Sequence, residues 1–496
     1  MFGKNRKKTY KELEAENMEL KTELTELRTR IEEIVAKAVE SGTAPLHAER
    51  LKLKAKINKD STNSSKPPSS DGMKQIPNSR ERSERSIGGQ KGHEGHKLSI
   101  PENLEELVKS GVAEKEVIDY TDGSPEYVSR WEIDIRIKTI YREYRYPKEE
   151  GGLIENQSDV RNAKNISYGD ELKTTSVMLS SEGIVSLKRM SDFFSGVTGG
   201  LLCPSEGTLQ NFNHEFAEKL ETSGELEIIR ENLLNGEVIN VDETTKSTTE
   251  RLTYQENEPP TLETAKNKSF NAYVRNYSNE TNTLYTVNAQ KNDAGVERDG
   301  ILPHFSGILS HDHDRKYYKY CEKHATCGTH LLRDLKGLRD LWKCPWSDGM
   351  RTFISELNDQ KKEYIEHNAA PSEEWLDEVS HKYDYIIADG MAQLENMNEN
   401  HVGYGQINAM LKRLAQYKDA YLLFIRDMTA PFTNNLSERD LRSIKTKQKV
   451  SGSFRSWQGF LDFAIIKSFI STKKKQGGNL FSSIRNVFNH QPLLAE

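Results

Sequence analysis

Cysteine is scarce in this chain, and long apolar runs are missing from it. The 4 cysteines among 496 residues are too few for a disulfide scaffold, and they suit a reducing compartment such as the cytoplasm. No stretch of about 18 apolar residues occurs, so we expect no membrane span. The basic N-terminus leads into a Glu-rich segment instead of an apolar one, which argues against a secretory signal.

An overall excess of positive charge is also absent, because the net charge is -6. This excludes a uniformly basic protein that coats nucleic acid. Locally the balance reverses: residues 50–97 contain 12 Lys and Arg against 5 Asp and Glu, and residues 438–475 contain 10 against 3. Two basic segments on an acidic chain indicate contact with a polyanion at defined places, and ordinary solvated surface explains the charge alone equally well.

The N-terminal segment carries a heptad seam. Its members are spaced alternately by four and three residues: Leu13, Asn17, Leu20, Leu24, Leu27, Ile31 and Ile34. We therefore predict a coiled coil over residues 1–40 that makes the protein a homodimer, the alternative being one amphipathic helix packed on the body. Residues 58–100 are rich in Ser, Asn, Pro, Gly and Lys and poor in large apolar residues, and we predict a disordered, flexible basic linker over 41–100.

The remaining chain predicts an α/β protein. Short strands around a DGSP turn indicate a small β-rich module at 101–165, and residues 166–235 are helix-patterned. A helix-turn-helix is conceivable in this second, DNA-binding or connecting region, and we favour a plain helical hairpin. Strands are then predicted within 236–245, 269–279, 281–290 and 307–314, before a long helix-patterned stretch.

Acids fall at informative places in this pattern. Asp242 follows the β-branched run of the first strand, Asp312 follows the later apolar run, and Glu438 opens a late helix. Three successive strands, a later strand and a helix that carry acids in this way form the RNase H-like pattern. Phosphodiester cleavage by two Mg²⁺ ions needs a few converging carboxylates. Acids at strand ends are more often surface or capping residues, and Asn435 and Glu438 have capping-box spacing, so the pattern alone leaves both interpretations open.

Several long motifs resemble the transposases of insertion sequence family 66, in the order in which that family has them. They are NSSKPPSSDG (63–72), GGQKGHEGH (88–96), VDET (241–244), GILSHDHDRKYYKY (307–320), HATCGTHLLRDLKGL (324–338) and NNLSERDLRSIKTKQKVSGSFRS (434–456). The resemblance implies a DDE transposase in which Asp242, Asp312 and Glu438 are catalytic and bind the metal. Asp314 is the neighbouring alternative to Asp312, and we expect the two on one face of a strand with His311 and His313 opposite.

The resemblance also implies the domain plan and the cofactor. An RNase H-like catalytic domain at 236–319 and 431–475 is interrupted by a large helical insertion at 320–430 and followed by a C-terminal tail at 476–496. Mg²⁺ is the expected cofactor, and Mn²⁺ can substitute. We expect contacts to DNA phosphates from Arg439, Arg442, Lys445, Lys447, Lys449, Arg455, His330, Arg333 and Lys336.

Zinc is not expected. Family members commonly carry paired cysteines before the catalytic domain, and residues 101–165 contain no cysteine. The string Cys321, His324, Cys327 and His330 resembles a zinc motif. On a continuous helix, however, these positions turn around the axis and cannot all reach one ion.

The expected function is binding of terminal inverted repeats, nicking of DNA and strand transfer into target DNA, in the bacterial cytoplasm and at the nucleoid. The need for accessory transposition proteins stays open. The alternatives are an RNase H-fold nuclease that cuts without joining, and a non-catalytic repressor that binds DNA ends. The presence of all three acids counts against the repressor.

Overall fold

The computed structural model describes residues 99–121, 128–142, 167–255, 259–265 and 268–489, together with residue 126, residues 44–58 and parts of 18–30. Within 18–30 the described residues are helical, and Leu24 and Leu27 are exposed. The other residues of the heptad seam lie outside the described part of the chain, as do residues 59–98 of the predicted linker. None of the described helices is long and apolar enough to cross a membrane.

The start of the predicted linker is helical. Helix α1 covers Ala44–Ile57, where Ala, Leu and Lys supply high helix propensity. The short helix α2 follows at Leu104–Lys109.

The strands predicted around the DGSP turn are not seen within the described residues 101–121 and 128–142. The two arms nevertheless run antiparallel, because Arg136 lies 2.7 Å from Glu116 and Lys138 lies 3.3 Å from Glu114. Apolar side chains such as Ile135 remain exposed. No second layer covers these side chains within the described part of the chain, so little there stabilises a regular ladder.

Four helices precede the sheet, in the region that the apolar spacing predicts to be helical. They are α3 (Asp170–Ser181), α4 (Leu187–Val197), α5 (Glu206–Thr222) and α6 (Glu225–Leu234). The hydroxyl of Ser205 accepts a hydrogen bond from the backbone N–H of Thr208 and so caps the start of α5.

A five-stranded mixed sheet forms the centre of the molecule. Its spatial order is β5-β4-β1-β6-β7, with β1 antiparallel to β4, β4 antiparallel to β5, and β1, β6 and β7 mutually parallel. The strands are β1 (Val238–Thr248), β4 (Phe270–Ser278), β5 (Thr283–Asn288), β6 (Ile308–His311) and β7 (Lys323–Thr326). A separate hairpin of β2 (Glu250–Thr253) and β3 (Thr261–Thr264) leaves the sheet between β1 and β4, and α7 (Asp293–Asp299) follows β5.

A strand lies near the start of 320–430, the range predicted to be a helical insertion. Residues 323–326, which the sequence assigned to the insertion, form the edge strand β7, because their backbone pairs with β6. Five helices follow: α8 (Gly328–Trp342), α9 (Pro345–Glu366), α10 (Glu373–Glu395), α11 (Tyr404–Gln416) and α12 (Lys418–Arg426). Their apolar faces share a core of their own, built around residues such as Trp346, Tyr383 and Leu414.

Three helices complete the chain: α13 (Asn435–Ser451), α14 (Trp457–Lys475) and α15 (Leu480–Phe488). Leu441 and Ile444 of α13 pack with Ala272 and Val274 of β4 and with residues of α14. Helix α15 corrects the prediction of a C-terminal tail at 476–496. Its buried residues Ile484, Val487 and Phe488 join a core shared with α3, α5 and α14.

Candidate active site

Asp242 lies within the central strand, on the side where β6 ends. Val238, Ile239 and Asn240 pair with Ile308, Leu309 and Ser310 of the parallel strand β6. The same register continued by two residues sets Asp312 beside Asp242, because parallel strands pair with a constant offset. On its other side, Asp242 pairs with Asn276 of β4.

Strand β6 ends at His311, one residue before the second predicted acid. His313 has a left-handed backbone with φ 75°, so the chain turns directly after Asp312. Asp312 and Asp314 therefore do not lie on one face of a strand. This corrects the arrangement that was expected from the sequence. Asp312 is exposed. Asp314 caps a short 3₁₀ turn and lies 2.9 Å from the ammonium of Lys316.

Glu438 lies in the first turn of α13, which is attached to the sheet on both sides of the glutamate. The Asn434 amide donates to the carbonyl of Val241 at 2.8 Å. The Ser437 hydroxyl donates to the Asn276 side chain at 2.6 Å, and the amide of Asn276 donates to the carbonyl of Ser437 at 3.2 Å. These bonds attach the helix start to β1, the strand that carries Asp242, and to its neighbour β4.

The ionisation of Asp242 reflects the other two acids. Burial and the negative charge of Asp312 raise the pKa of Asp242 to about 7, with a smaller contribution in the same direction from Glu438. The backbone N–H of Glu243, which donates to Asp242 at 2.7 Å, and the cation of Lys445 act in the opposite direction. Two carboxyl groups, one of them 196 residues away in the chain, thus act on Asp242 at this end of β6.

Glu243 belongs to a different network from its neighbour Asp242, because successive strand residues face opposite sides. Its carboxylate lies 3.1 Å from Arg275, 3.0 Å from Lys291 and 2.8 Å from Lys316. Arg275 is fully buried and also binds Asp299. Sequence reasoning missed this network, and the acidic pair Asp-Glu gave no signal of it.

His330 approaches Glu438 from the start of α8. Its Nδ1 lies 3.6 Å from Glu438 Oε1. The neighbouring thiol of Cys327 contributes most to raising the pKa of His330, to about 9, and Glu438 and Asp312 add to it. The Cys327 sulfur accepts a hydrogen bond from the backbone N–H of Asn434 at 3.3 Å. His330 was predicted to contact DNA, and the structure brings it to one of the three acids.

The argument from a continuous helix against a zinc site at 321–330 was wrong, because β7 occupies 323–326 and α8 begins only at Gly328. The four side chains do not converge on one point, for another reason. His324 faces His311 with their ring nitrogens 3.3 Å apart, and the Cys321 thiol donates to the carbonyl of Phe305. Cys327 and His330 instead lie with Glu438, their ligand atoms all within 4.8 Å of one another.

Five of the basic residues predicted to bind DNA are exposed on α13 or directly after it, namely Arg439, Arg442, Lys445, Lys449 and Arg455. The cation of Lys445 acts on the pKa of Asp242, whereas Arg455 lies beside Thr249, near the far end of β1. Lys447 differs: its ammonium donates to the carbonyl of Ser180 and lies 5.3 Å from the ring centre of Phe463. Burial lowers the pKa of Lys447 to about 8. The helical spacing could have predicted this burial, because Lys447 follows the buried Ile444 by three residues.

Arg333 and Lys336 are partly buried on α8, the helix that carries His330. Sequence reasoning missed Lys246, which is buried on β1 and donates to the Gln448 side chain at 3.0 Å. Burial, together with Lys445 and Lys449, lowers the pKa of Lys246 to about 8.

Residues 166–460 match the model of the Transposase IS66 family, more than half of the chain. The chain belongs to the IS66 transposase family. The matched range runs from before α3 into α14 and includes Asp242, Asp312, Glu438 and the whole helical insertion, so membership confirms the resemblance seen in the motifs.

Two further comparisons concern smaller parts of the chain. Residues 4–99 match a family of unknown function, DUF6444. The uncharacterized protein y4jO of Sinorhizobium fredii (strain NBRC 101917 / NGR234) is 36% identical over 75 residues, which cover 15% of this chain and 23% of that protein. The chain thus matches less than a quarter of the length of this curated relative. No solved structure matches the chain.

Proposed function

We propose that this protein is a DDE transposase that binds the ends of a mobile element, nicks DNA to free 3′ hydroxyls and transfers them into target DNA. One observation carries the proposal most directly: the register of β1 and β6 sets Asp312 beside Asp242, and the helix start that carries Glu438 bonds to Val241 and Asn276 of the same sheet. Membership of the IS66 transposase family supports the same function.

The sheet supports an RNase H-like catalytic domain. Strands β1, β4 and β5 form an antiparallel succession, β6 then returns parallel to β1, and the acid-bearing helix α13 packs on β1 and β4. This is the order of strands and acids that the sequence pattern predicts for such a domain.

The donor set fits Mg²⁺, with Mn²⁺ as a substitute, because hard divalent cations prefer carboxylate oxygens. The raised pKa of Asp242 reflects burial first and repulsion from Asp312 second, and a bound cation would counteract both. Two Mg²⁺ ions, when bound, would neutralise charge on the attacking and leaving oxygens. The chain's part is positioning: Asp242 lies on β1, Asp312 directly follows the adjacent strand β6, and Glu438 comes from a helix anchored to the same sheet.

Exposed cations on α13 and directly after it would hold the phosphate backbone. We expect Arg439, Arg442, Lys445, Lys449 and Arg455 to do so without reading sequence. Lys447 is left out of this set because of its internal contacts. We expect the protein to work on the bacterial nucleoid as a homodimer that pairs two element ends, with or without accessory transposition proteins.

The deciding experiment incubates the purified full chain with Mg²⁺ and labelled DNA that carries the element's own ends. Asp242→Ala, Asp312→Ala and Glu438→Gln are compared with Asp314→Ala, the matched neighbour whose carboxylate already binds Lys316. We expect metal-dependent nicking and joining by the native protein, a loss of at least about a hundredfold in the first three variants, and retention in Asp314→Ala.

The other outcomes point elsewhere. Nicking without joining favours an RNase H-fold nuclease, and binding without cleavage favours an end-binding repressor. Loss of cleavage in Asp314→Ala with retention in Asp312→Ala moves the second acid to Asp314. Full activity in Asp242→Ala removes Asp242 from the active site.

A further inference from the structure

A second set of metal-binding groups lies beside the proposed carboxylate site. Cys327 and His330 come from the start of α8, and Glu438 from the start of α13. The ligand atoms of the three residues lie within 4.8 Å of one another. Cys327 is 2% exposed, and the buried Nδ1 of His330 has no hydrogen-bond partner among the described residues.

The chemistry of this set differs from that of the three acids. A thiolate, an imidazole and a carboxylate are the ligand types that Zn²⁺ takes in proteins, at about 2.0–2.3 Å, and catalytic zinc sites often use three of them. Mg²⁺ avoids sulfur and nitrogen, so this set selects against the proposed catalytic ion. Closing the three atoms onto one ion needs a shift of about 1 Å.

The backbone supports the sulfur as a ligand. The N–H of Asn434 donates to Cys327 Sγ at 3.3 Å, and such a bond to a ligand sulfur orients it and stabilises its negative charge. The spacing of Cys327 and His330 puts both on one face at the first turn of a helix.

We propose that Cys327, His330 and Glu438 form a binding site for one thiophilic divalent ion, Zn²⁺ or a similar metal. Because Glu438 belongs to both sets, an ion bound here withdraws it from Asp242 and Asp312. The site is thus an inhibitory one, and this second statement rests on the proposed role of Glu438 in catalysis. Of the string 321–330, only Cys327 and His330 take part, because Cys321 and His324 have partners elsewhere.

Cobalt spectroscopy on the reduced full chain tests the binding. Tetrahedral Co²⁺ bound to a thiolate gives a near-ultraviolet charge-transfer band, and we expect it to saturate at one equivalent per chain. Cys327→Ser should abolish the band, and His330→Ala and Glu438→Gln should weaken Co²⁺ binding by at least about tenfold. The matched controls Cys203→Ser and Cys321→Ser should keep it.

A second measurement needs no variant. Zn²⁺ should protect Cys327 of the native protein from alkylation after mild loosening with urea, while the exposed Cys203 stays reactive, as peptide mass spectrometry reads directly. Absence of both the cobalt band and the protection overturns the site. A band that survives in Cys327→Ser, or disappears in Cys321→Ser, assigns the metal to other residues and also overturns it.

The inhibitory part is tested in the nicking assay with Mg²⁺ in excess. Equimolar Zn²⁺ should reduce nicking by the native protein at least about tenfold, and Cys327→Ser, normalised to its own activity without zinc, should lose most of this inhibition. Cobalt binding without inhibition would keep the site and refute its coupling to catalysis. A native protein that binds cobalt but never nicks DNA would refute the proposed function and leave the metal site standing.

Discussion

Single side chains at the start of α13 divide into those that hold the helix and those that face the acids. Asn434 and Ser437 are fully buried and bond to the sheet, whereas Asn435 and Arg439 are exposed. Asp440 accepts from Ser278 and Lys475 on the buried side. Glu438 owes its position to these neighbours.

Replacing Asn434 tests this anchoring. Asn434→Ala removes the amide that bonds to the Val241 carbonyl. We expect a loss of about 1–2 kcal/mol in unfolding free energy, because a buried carbonyl loses its partner. Asn435→Ala replaces the exposed neighbouring residue and should change the free energy of unfolding by less than about 0.5 kcal/mol. Urea unfolding of both variants measures the difference, and equal effects would contradict the anchoring role.

The pH dependence of stability tests the electrostatics of Asp242. Its folded-state pKa of about 7 lies above the ordinary value of 3.8. Between these values the folded state holds a proton that the unfolded state has released, so stability falls as pH rises from about 4 to about 7. Asp242→Asn removes this term. Its stability relative to the native protein should therefore increase across that window and level off above about pH 7.

The measurement is urea unfolding of both proteins in EDTA at several pH values. Other titrating groups, such as His313, whose pKa burial lowers to about 4, affect both proteins alike and cancel in the comparison. A difference that stays constant from about pH 5 to about pH 8 would show that Asp242 ionises normally.

At the scale of elements, α15 contributes to the hydrophobic core that it shares with α3, α5 and α14. Its residues Ile484, Val487 and Phe488 share a core with Phe216 of α5 and Phe469 of α14. The helix begins with a cap from Asn479, whose side chain accepts from the backbone N–H of Ser482 at 3.0 Å. The C-terminal segment is thus part of the packed structure.

Adjacent positions on α15 provide a matched test. Ile484→Ala should cost about 3 kcal/mol, because it removes a side chain with no exposed surface from a packed core. Arg485→Ala changes an exposed neighbour and should stay within about 0.5 kcal/mol. Chemical denaturation of the full chain measures both. A loss below about 1 kcal/mol for Ile484→Ala would mean that α15 is only loosely attached.

For the whole molecule, the predicted coiled coil concerns assembly. The heptad seam of residues 13–34 predicts a dimer, and pairing two DNA ends requires two active sites. Deleting residues 1–40 should therefore halve the mass of the protein in solution. Light scattering coupled to size-exclusion chromatography measures this mass. The control is a variant of the same segment with substitutions outside the heptad seam that leave the net charge unchanged. An unchanged mass would refute dimerisation through this segment.

The acids, the basic segment after Glu438 and the main strands were all visible in the sequence, because short-range alternation and helical spacing follow from backbone geometry. The internal position of the Lys447 side chain could also have been predicted from its spacing to Ile444. Strand β7 could not, since four residues of mixed character carry no periodicity, and only pairing with β6 makes them a strand. Part of the predicted tail likewise forms α15 because it packs against α3, α5 and α14, which no local pattern shows.

The sequence by itself determined which residue types the site has and the order in which they occur along the chain. Only the tertiary structure decided that Asp242, Asp312 and Glu438 share one edge of a sheet, that Asp314 binds Lys316 instead, and that Cys327 and His330 lie beside Glu438. The reason is physical. Local propensity acts over a few residues, whereas groups far apart in the chain are brought together by long-range packing and hydrogen bonding that no local pattern records.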